Sequence, residues 1–496
     1  MKEFILLLPE IFLAVTVAGL VFAEVGYHGE RVRLVISTAL LGLGGAFVQT
    51  LISYQYDSAQ IFGHALSIDA YSIFFKLFFI ALAALAVVSS ARSKEILVER
   101  RAEYCALIIA AALGMCTTAA ATDLLLAFLC LQFLNLICHF LTAFGRRNMV
   151  STEAAVKHLL FSVVAGILLL YASALLFSAT RTINIVEMQR ALTAAPLAPQ
   201  TAWVVFTLIF LSLGFQFAAF PMHLWAPDVL EGAPTPVSAF ISIGSRAAGF
   251  AFGLRLILTI FAKNATAGQW EILGQAQWPT MVAFLAGATM LAGALMAFRQ
   301  QAAKRLVACL VVSQTGFLMM GLLVLDEAGL AALLYNLVAE LFALMGTFYV
   351  ISLFQDEIRS DRLTEWRGLL GRAVPETVAL ILFLGSLVGL PPLAGFIGRF
   401  SLVGAAIDHQ WFGLAVIAML SWAIASISIT RVAFSLVGDF KTASAAAFPK
   451  DSSRLLYLGA FLIPMILISL FADGVFSWVS LSLRPFSGGS GLLTGL

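Results

Sequence analysis

Charge is what this chain has least of. Only 11% of its residues are Asp, Glu, Lys or Arg, while 61% are apolar. A soluble domain carries roughly 25% charged residues, and no soluble core hides this much apolar surface, so lipid must be the solvent for most of it. Cysteine is scarce too: Cys105, Cys116, Cys130, Cys138 and Cys309 all fall in apolar runs, and there is no CxxC pair. These spacings indicate neither a zinc nor an iron–sulfur site, and the five read as small buried hydrophobes. The net charge is only +2 and no basic stripe stands out, which excludes a nucleic-acid partner. Long polar segments are also missing. The longest loops, near 180–201 and 355–375, are about twenty residues, too short for a separate nucleotide fold or flavin motif. No cofactor is therefore expected on this chain, and any redox chemistry must sit on other subunits. The first apolar run passes Val21 without a small-residue cleavage pattern and reads as a span, not a cleavable signal.

What is present is hydrocarbon at membrane-crossing length. A span needs about 20 mostly apolar residues. Fourteen such segments are expected, near 4–25, 32–52, 66–90, 104–121, 123–144, 154–179, 202–221, 236–261, 278–298, 306–325, 329–354, 376–403, 410–437 and 455–480. Only Thr122 and Asp123 separate the fourth from the fifth. The loops after odd-numbered spans carry 18 Lys and Arg and the opposite side five, read from the sequence. The positive-inside rule then places both termini on the outer, periplasmic side of a bacterial plasma membrane. The expected class is an all-α integral membrane protein, one polytopic domain over 1–496.

Six basic residues fall within or at the ends of spans: Lys76, Lys157, Arg246, Arg255, Arg399 and Arg431. An ionisable group in hydrocarbon costs roughly 2.5–3.5 kcal/mol on insertion scales, so each needs a reason. Arg246 follows the stretch "GFQFAAFPMHLWAPDVLEGAPTPVSAF", broken by Pro221, Pro227, Pro234 and Pro236. Arg399 closes "SLVGLPPLAGFIGR", broken by Pro391 and Pro392. Carbonyls freed by proline are tolerable in a bilayer only where protein or a wet cavity meets them. Interrupted spans in corresponding places point to inverted repeats, here 104–261 (helices 4–8) and 278–437 (helices 9–13), with helices 7 and 12 broken. In the fifth span Gln132, Asn135 and His139 share one helix face. His139 reads as a packing histidine or a proton shuttle. Glu340 in mid-span reads as a relay or as an arginine's partner. Asp69, Asp123, Glu153 and Lys157 lie near span ends, and for Asp69 a solvated end is the simpler reading.

These residues carry a family resemblance. "PMHLWAPDVLEGAPTPVSAFISIGSRAAGF" resembles the antiporter-like membrane subunits of respiratory complex I. "LLLPEIFLA", "STEAAVKHLLFSVVAG", "AKRLVACLVVSQTGFLMMG" and "SLVGLPPLAGFIGRF" are similar to the N type in the same order, over nearly the whole chain. The resemblance implies fourteen helices in two inverted five-helix repeats, each carrying half of a proton path. It implies other membrane-arm subunits as partners, flavin and iron–sulfur clusters on partner subunits, and a quinone pool reached through them. NADH as electron donor follows from the resemblance alone. The family has a glutamate on the fifth helix paired with a lysine on the broken seventh, and further lysines on the eighth and twelfth. The matching positions here are Gln132, Gln216, Arg246 and Arg399. Glutamine does not titrate, and arginine keeps its proton where lysine passes one on. The expectation is a membrane-arm subunit with proton translocation impaired, or rerouted through His139, His158, Glu340 or waters along Ser313 and Gln314. A non-pumping structural spacer and a cation/proton antiporter without a redox partner remain open at this stage.

Overall fold

Asp123 decides how the chain is threaded. Its carboxylate accepts hydrogen bonds from Leu125 N and Leu126 N, both at 2.9 Å, and so caps a new helix. The apolar run around it is therefore two helices, α4 (Arg101–Ala120) and α5 (Leu124–Thr142), as the loop charges require. The computed structural model describes residues 2–26, 32–56, 58–145, 148–266, 269–272, 278–438 and 452–486. Arg31, Arg146, Arg147, Lys441 and Lys450, which contribute to the charge bias, lie outside the described residues.

Each of the fourteen expected segments falls on helix. Before α4 come α1 (Leu8–Gly26), α2 (Val32–Ile52) and α3 (Ala70–Ser90). After α5 come α6 (Met149–Thr180), the broken pair α7a (Pro199–Phe217) and α7b (Trp225–Gly232), and α8 (Thr235–Leu256). The second half holds α9 (Trp278–Arg299), α10 (Ala303–Val324), α11 (Glu327–Ile358), α12a (Val374–Val388), α12b (Ala394–Asp408) and α13 (Phe412–Val437). The last segment is α14a (Ser452–Leu470) and α14b (Ala472–Leu483). Among the described residues eleven helices are long and apolar enough to cross a bilayer, and a bent pair makes twelve. The other two expected spans fall on α1 and on the shorter pair α12a and α12b. Two expectations need correction. The segment 455–480 is not one straight span, because its halves meet at 87°. The segment 66–90 begins in a strand, since β1 (Ala59–Ile61) and β2 (Leu66–Ile68) form a hairpin before α3.

Helices α8, α10 and α11 are buried over nearly their whole length, and the others surround them. Lipid tails are as apolar as leucine, so close backbone approach must hold such a bundle. At the α9–α10 contact a Cβ on Gly293 would lie 2.2 Å from Ser313 N, and one on Gly316 would lie 2.6 Å from Ala286 O. Only glycine fits at either place.

Both expected breaks are present. Helix α7a ends in Ala218, in the left-handed conformation (φ 58°), followed by a cis Phe220–Pro221 bond. Helix α12a ends in Gly389 (φ 80°), followed by a cis Pro391–Pro392 bond. The freed carbonyls are met by protein: Phe215 O accepts from the Trp225 indole at 3.1 Å and Phe217 O from Thr315 at 2.6 Å. At the second break Leu387 O accepts from Arg399 Nη2 at 2.6 Å. Pro221, Pro391 and Pro392 themselves lie on the outside of the bundle, Pro227 is buried in α7b, and Pro234 and Pro236 start α8, where a missing N–H does no harm.

Candidate functional site

The polar side chains expected inside the spans form a line across the bundle. It begins on α5, where Asn135 Oδ1 accepts from Gln216 Nε2 at 3.0 Å. Gln216 sits one residue before the end of α7a, and its Oε1 accepts from Ser245 on α8 at 2.7 Å. The next residue, Arg246, crosses to the second half of the chain. Its Nη2 donates to Glu340 Oε2 on α11 at 2.5 Å. Its Nε donates to Ser242 O at 3.1 Å and its Nη1 to Val311 O at 3.3 Å. The other Glu340 oxygen accepts from Asn336 at 2.9 Å, one turn earlier on α11. Asn336 packs against Gly398, where an added Cβ would lie 2.6 Å from its Oδ1, and the neighbour of Gly398 is Arg399.

Arg399 is almost fully buried and lies 4.5 Å over the Phe317 ring and 5.9 Å from Trp422. One of its guanidinium nitrogens is bonded to Leu387 O; Nε and Nη1 have no hydrogen-bond partner among the described residues. Glu340 lies within electrostatic reach of both arginines. Two guanidiniums thus face one carboxylate in the middle of the bundle, so this region carries an excess of positive charge. Glu340 is the arginine's partner.

The other expected residues separate from this line. Gln132 is half-buried on α5 and packs against α6, where a Cβ on Gly166 would lie 2.2 Å from its amide nitrogen. Its expected partner Gln216 bonds instead to Asn135, one helical turn further along α5. His139 contacts Ser162 at 3.0 Å and meets the His158 ring edge-on at 4.7 Å. His158 is buried among Phe215 and Trp225, and neither ring nitrogen has a hydrogen-bond partner among the described residues. Gln314 and Ser313 are buried on α10, and Gln314 Oε1 and the Ser313 hydroxyl have no hydrogen-bond partner among the described residues.

Sequence reasoning missed Ser245 and Asn336. The neighbour of Arg246 and the residue four before Glu340 were the available signals. It also misplaced Asp69. That carboxylate is fully buried and takes a two-pronged bond from Arg255, 2.9 Å on each arm, while capping α3 through Ser72. A second buried pair joins Lys76 on α3 to Glu10 on α1 at 2.6 Å. Lys157 and Glu153 lie at a solvated end as expected: Lys157 is partly exposed and bridges Glu153 at 2.8 Å and Asp228 at 2.7 Å.

A broken-helix, charge-bearing bundle of this kind has known counterparts. Residues 121–425 match the family described as NADH:quinone oxidoreductase/Mrp antiporter, transmembrane. The chain is 31% identical over 501 residues to NADH-quinone oxidoreductase subunit N of an Anaeromyxobacter species, covering 97% of this chain and 96% of that protein. The chain belongs to this family. It is a subunit N-type, antiporter-like multi-pass membrane subunit of NADH-quinone oxidoreductase. It is also 34% identical to NAD(P)H-quinone oxidoreductase subunit 2 of Thermosynechococcus vestitus, over 87% of this chain and 81% of that one. Its fold is similar to that of a chain of respiratory complex I from Thermus thermophilus, with a TM-score of 0.78 and 26% identity over 95% of this chain and 99% of that one.

Proposed function

We propose that this N-type subunit carries electrostatic coupling along its mid-membrane line, and that the path through Gln132 and Gln216 does not conduct protons. The observation that carries the reading is the bonding of Gln216. Its amide is held at both ends, by Asn135 and by Ser245, and neither partner titrates. A proton arriving there finds no group to accept it. Beyond it, Arg246 is engaged on all three guanidinium nitrogens. The cationic side chains of this line are Arg246 and Arg399, and Glu340 is held by the first of them.

Two features support reading 104–261 and 278–437 as inverted repeats. Helices α6 and α11 are each 32 residues long and each closes on a left-handed arginine, Arg181 and Arg359. Helices α7 and α12 each break at a left-handed residue shortly before a proline. The orientation with both termini outside is supported by the charge bias alone. Electron transfer is assigned to partner subunits holding flavin and iron–sulfur clusters, and the quinone pool is reached through them. The full-length likeness to subunit N favours this over an antiporter working without a redox partner.

The test is the proton-to-electron ratio of the intact complex in proteoliposomes, with Gln216→Met introduced. Methionine fills a similar volume without passing a proton. The ratio is expected to stay at the wild-type value at matched quinone-reductase turnover. A lower ratio with turnover intact would show that the path conducts, and the proposal would fail.

A further inference from the structure

At one end of the bundle, between the last turn of α9, the α11–α12a loop and the end of α13, lies a cavity of about 470 Å³. This end carries Arg299, Lys304, Arg305, Arg359, Arg362 and Arg367, so the positive-inside rule assigns it to the cytoplasmic face. The cavity is lined by Gln300, Gln301, Thr364, Arg367, Arg431 and Ser435, and none of the described residues lining it is acidic. Arg431 is anchored: its Nη1 and Nη2 donate to Phe298 O and Gln300 O, each at 2.8 Å, closing the end of α9. That leaves part of its guanidinium facing the cavity. Arg367 is exposed and has no partner among the described residues. Among the described residues the site therefore offers two cations, hydroxyls and amides, and no anion.

Directly beneath it α13 presents a continuous apolar strip outward. Phe434, Ile427 and Leu420 repeat at seven residues, which keeps them on one helix face, and they are 74%, 56% and 54% exposed. A polar, cationic hollow at the membrane surface above an apolar strip of this length has the chemistry of a lipid: a phosphate above, a chain below. Guanidinium groups match phosphate oxygens in geometry as well as charge. Basic pockets between membrane helices on the cytoplasmic side are suited to anionic headgroups. We propose that this cavity binds the phosphate headgroup of an anionic phospholipid, with Arg367 and Arg431 supplying the charge and α13 guiding an acyl chain.

The test uses the intact complex in nanodiscs containing phosphatidylglycerol with a photoreactive acyl chain, and maps labelled peptides. Labelling is expected on α13 at Phe434, Ile427 or Leu420. Unlabelled phosphatidylglycerol should compete it away, and inorganic phosphate should not. One cation near a membrane surface is worth about fivefold in affinity, so R367Q should lower the labelling about fivefold. Unchanged quinone-reductase turnover in R367Q would show that the complex is assembled. Equal labelling by a phosphatidylcholine probe would mean ordinary boundary lipid and would overturn the proposal. Displacement by inorganic phosphate would assign the pocket to a soluble anion instead. No labelling of α13 by either probe would mean that a neighbouring subunit covers the site, which overturns it as well.

Discussion

Arg246 on α8 and Glu340 on α11 are joined at 2.5 Å with about 2% and 3% of their side chains exposed, and this pair ties the first half of the chain to the second. The two residues are separated by 94 positions in sequence. Desolvating two such charges is expensive, and the attraction repays it only while both are present.

That asymmetry gives the first expectation. Arg246→Ala leaves the Glu340 carboxylate buried and unpaired, and should destabilise by about 3–5 kcal/mol. Replacing both residues together, as Arg246→Met with Glu340→Leu, removes the orphan carboxylate and should recover part of that loss, the remainder reflecting Arg399, which loses the nearby Glu340 charge. Thermal denaturation of the purified complex measures both. A double variant no more stable than Arg246→Ala would show that the pair matters through something other than charge balance.

Asp69 and Arg255 hold α3, α4 and α8 together, since Arg255 on α8 grips the cap of α3 and also donates to Ala119 O on α4 at 2.9 Å. Arg255→Lys keeps the charge but cannot reproduce a two-pronged bond plus a third contact. It is expected to lower the thermal midpoint of the complex, while Lys157→Arg at the partly solvated cluster should leave it nearly unchanged. Equal effects would remove the distinction drawn between buried and surface pairs.

The α9–α10 contact can be probed with one methyl group. Gly293→Ala places a Cβ 2.2 Å from Ser313 N, and overpacking of this kind costs about 1–3 kcal/mol. Gly404→Ala meets nothing within 4 Å and should be neutral or stabilising, since glycine inside a helix is unfavourable relative to alanine. Comparing assembly and thermal midpoints of the two variants checks both signs.

His158 is buried, and neither ring nitrogen has a hydrogen-bond partner among the described residues. Its ring packs against Phe215 and Trp225, and leucine keeps an apolar filling of that space, so His158→Leu should leave stability close to wild type. If protons were rerouted through His139 and His158, the same change would lower the proton-to-electron ratio; the expected result is no change.

Composition and span length determined that this protein lives in lipid, how many apolar segments it has and where two of them break. Those properties are local: a twenty-residue apolar run must cross a membrane, and a Pro-Pro pair must interrupt a helix wherever it lies. Arg246, Arg399 and Glu340 were legible as well, because a charge in an apolar run stands out without any structure. Which charge meets which was decided only by tertiary packing. Asp69 looks like a solvated helix end until Arg255, 186 residues away, closes on it. Gln216 pairs with Asn135 and not Gln132 because the rotation of α5 against α7a, set by side chains all along both helices, decides which of two polar residues on one stripe reaches across.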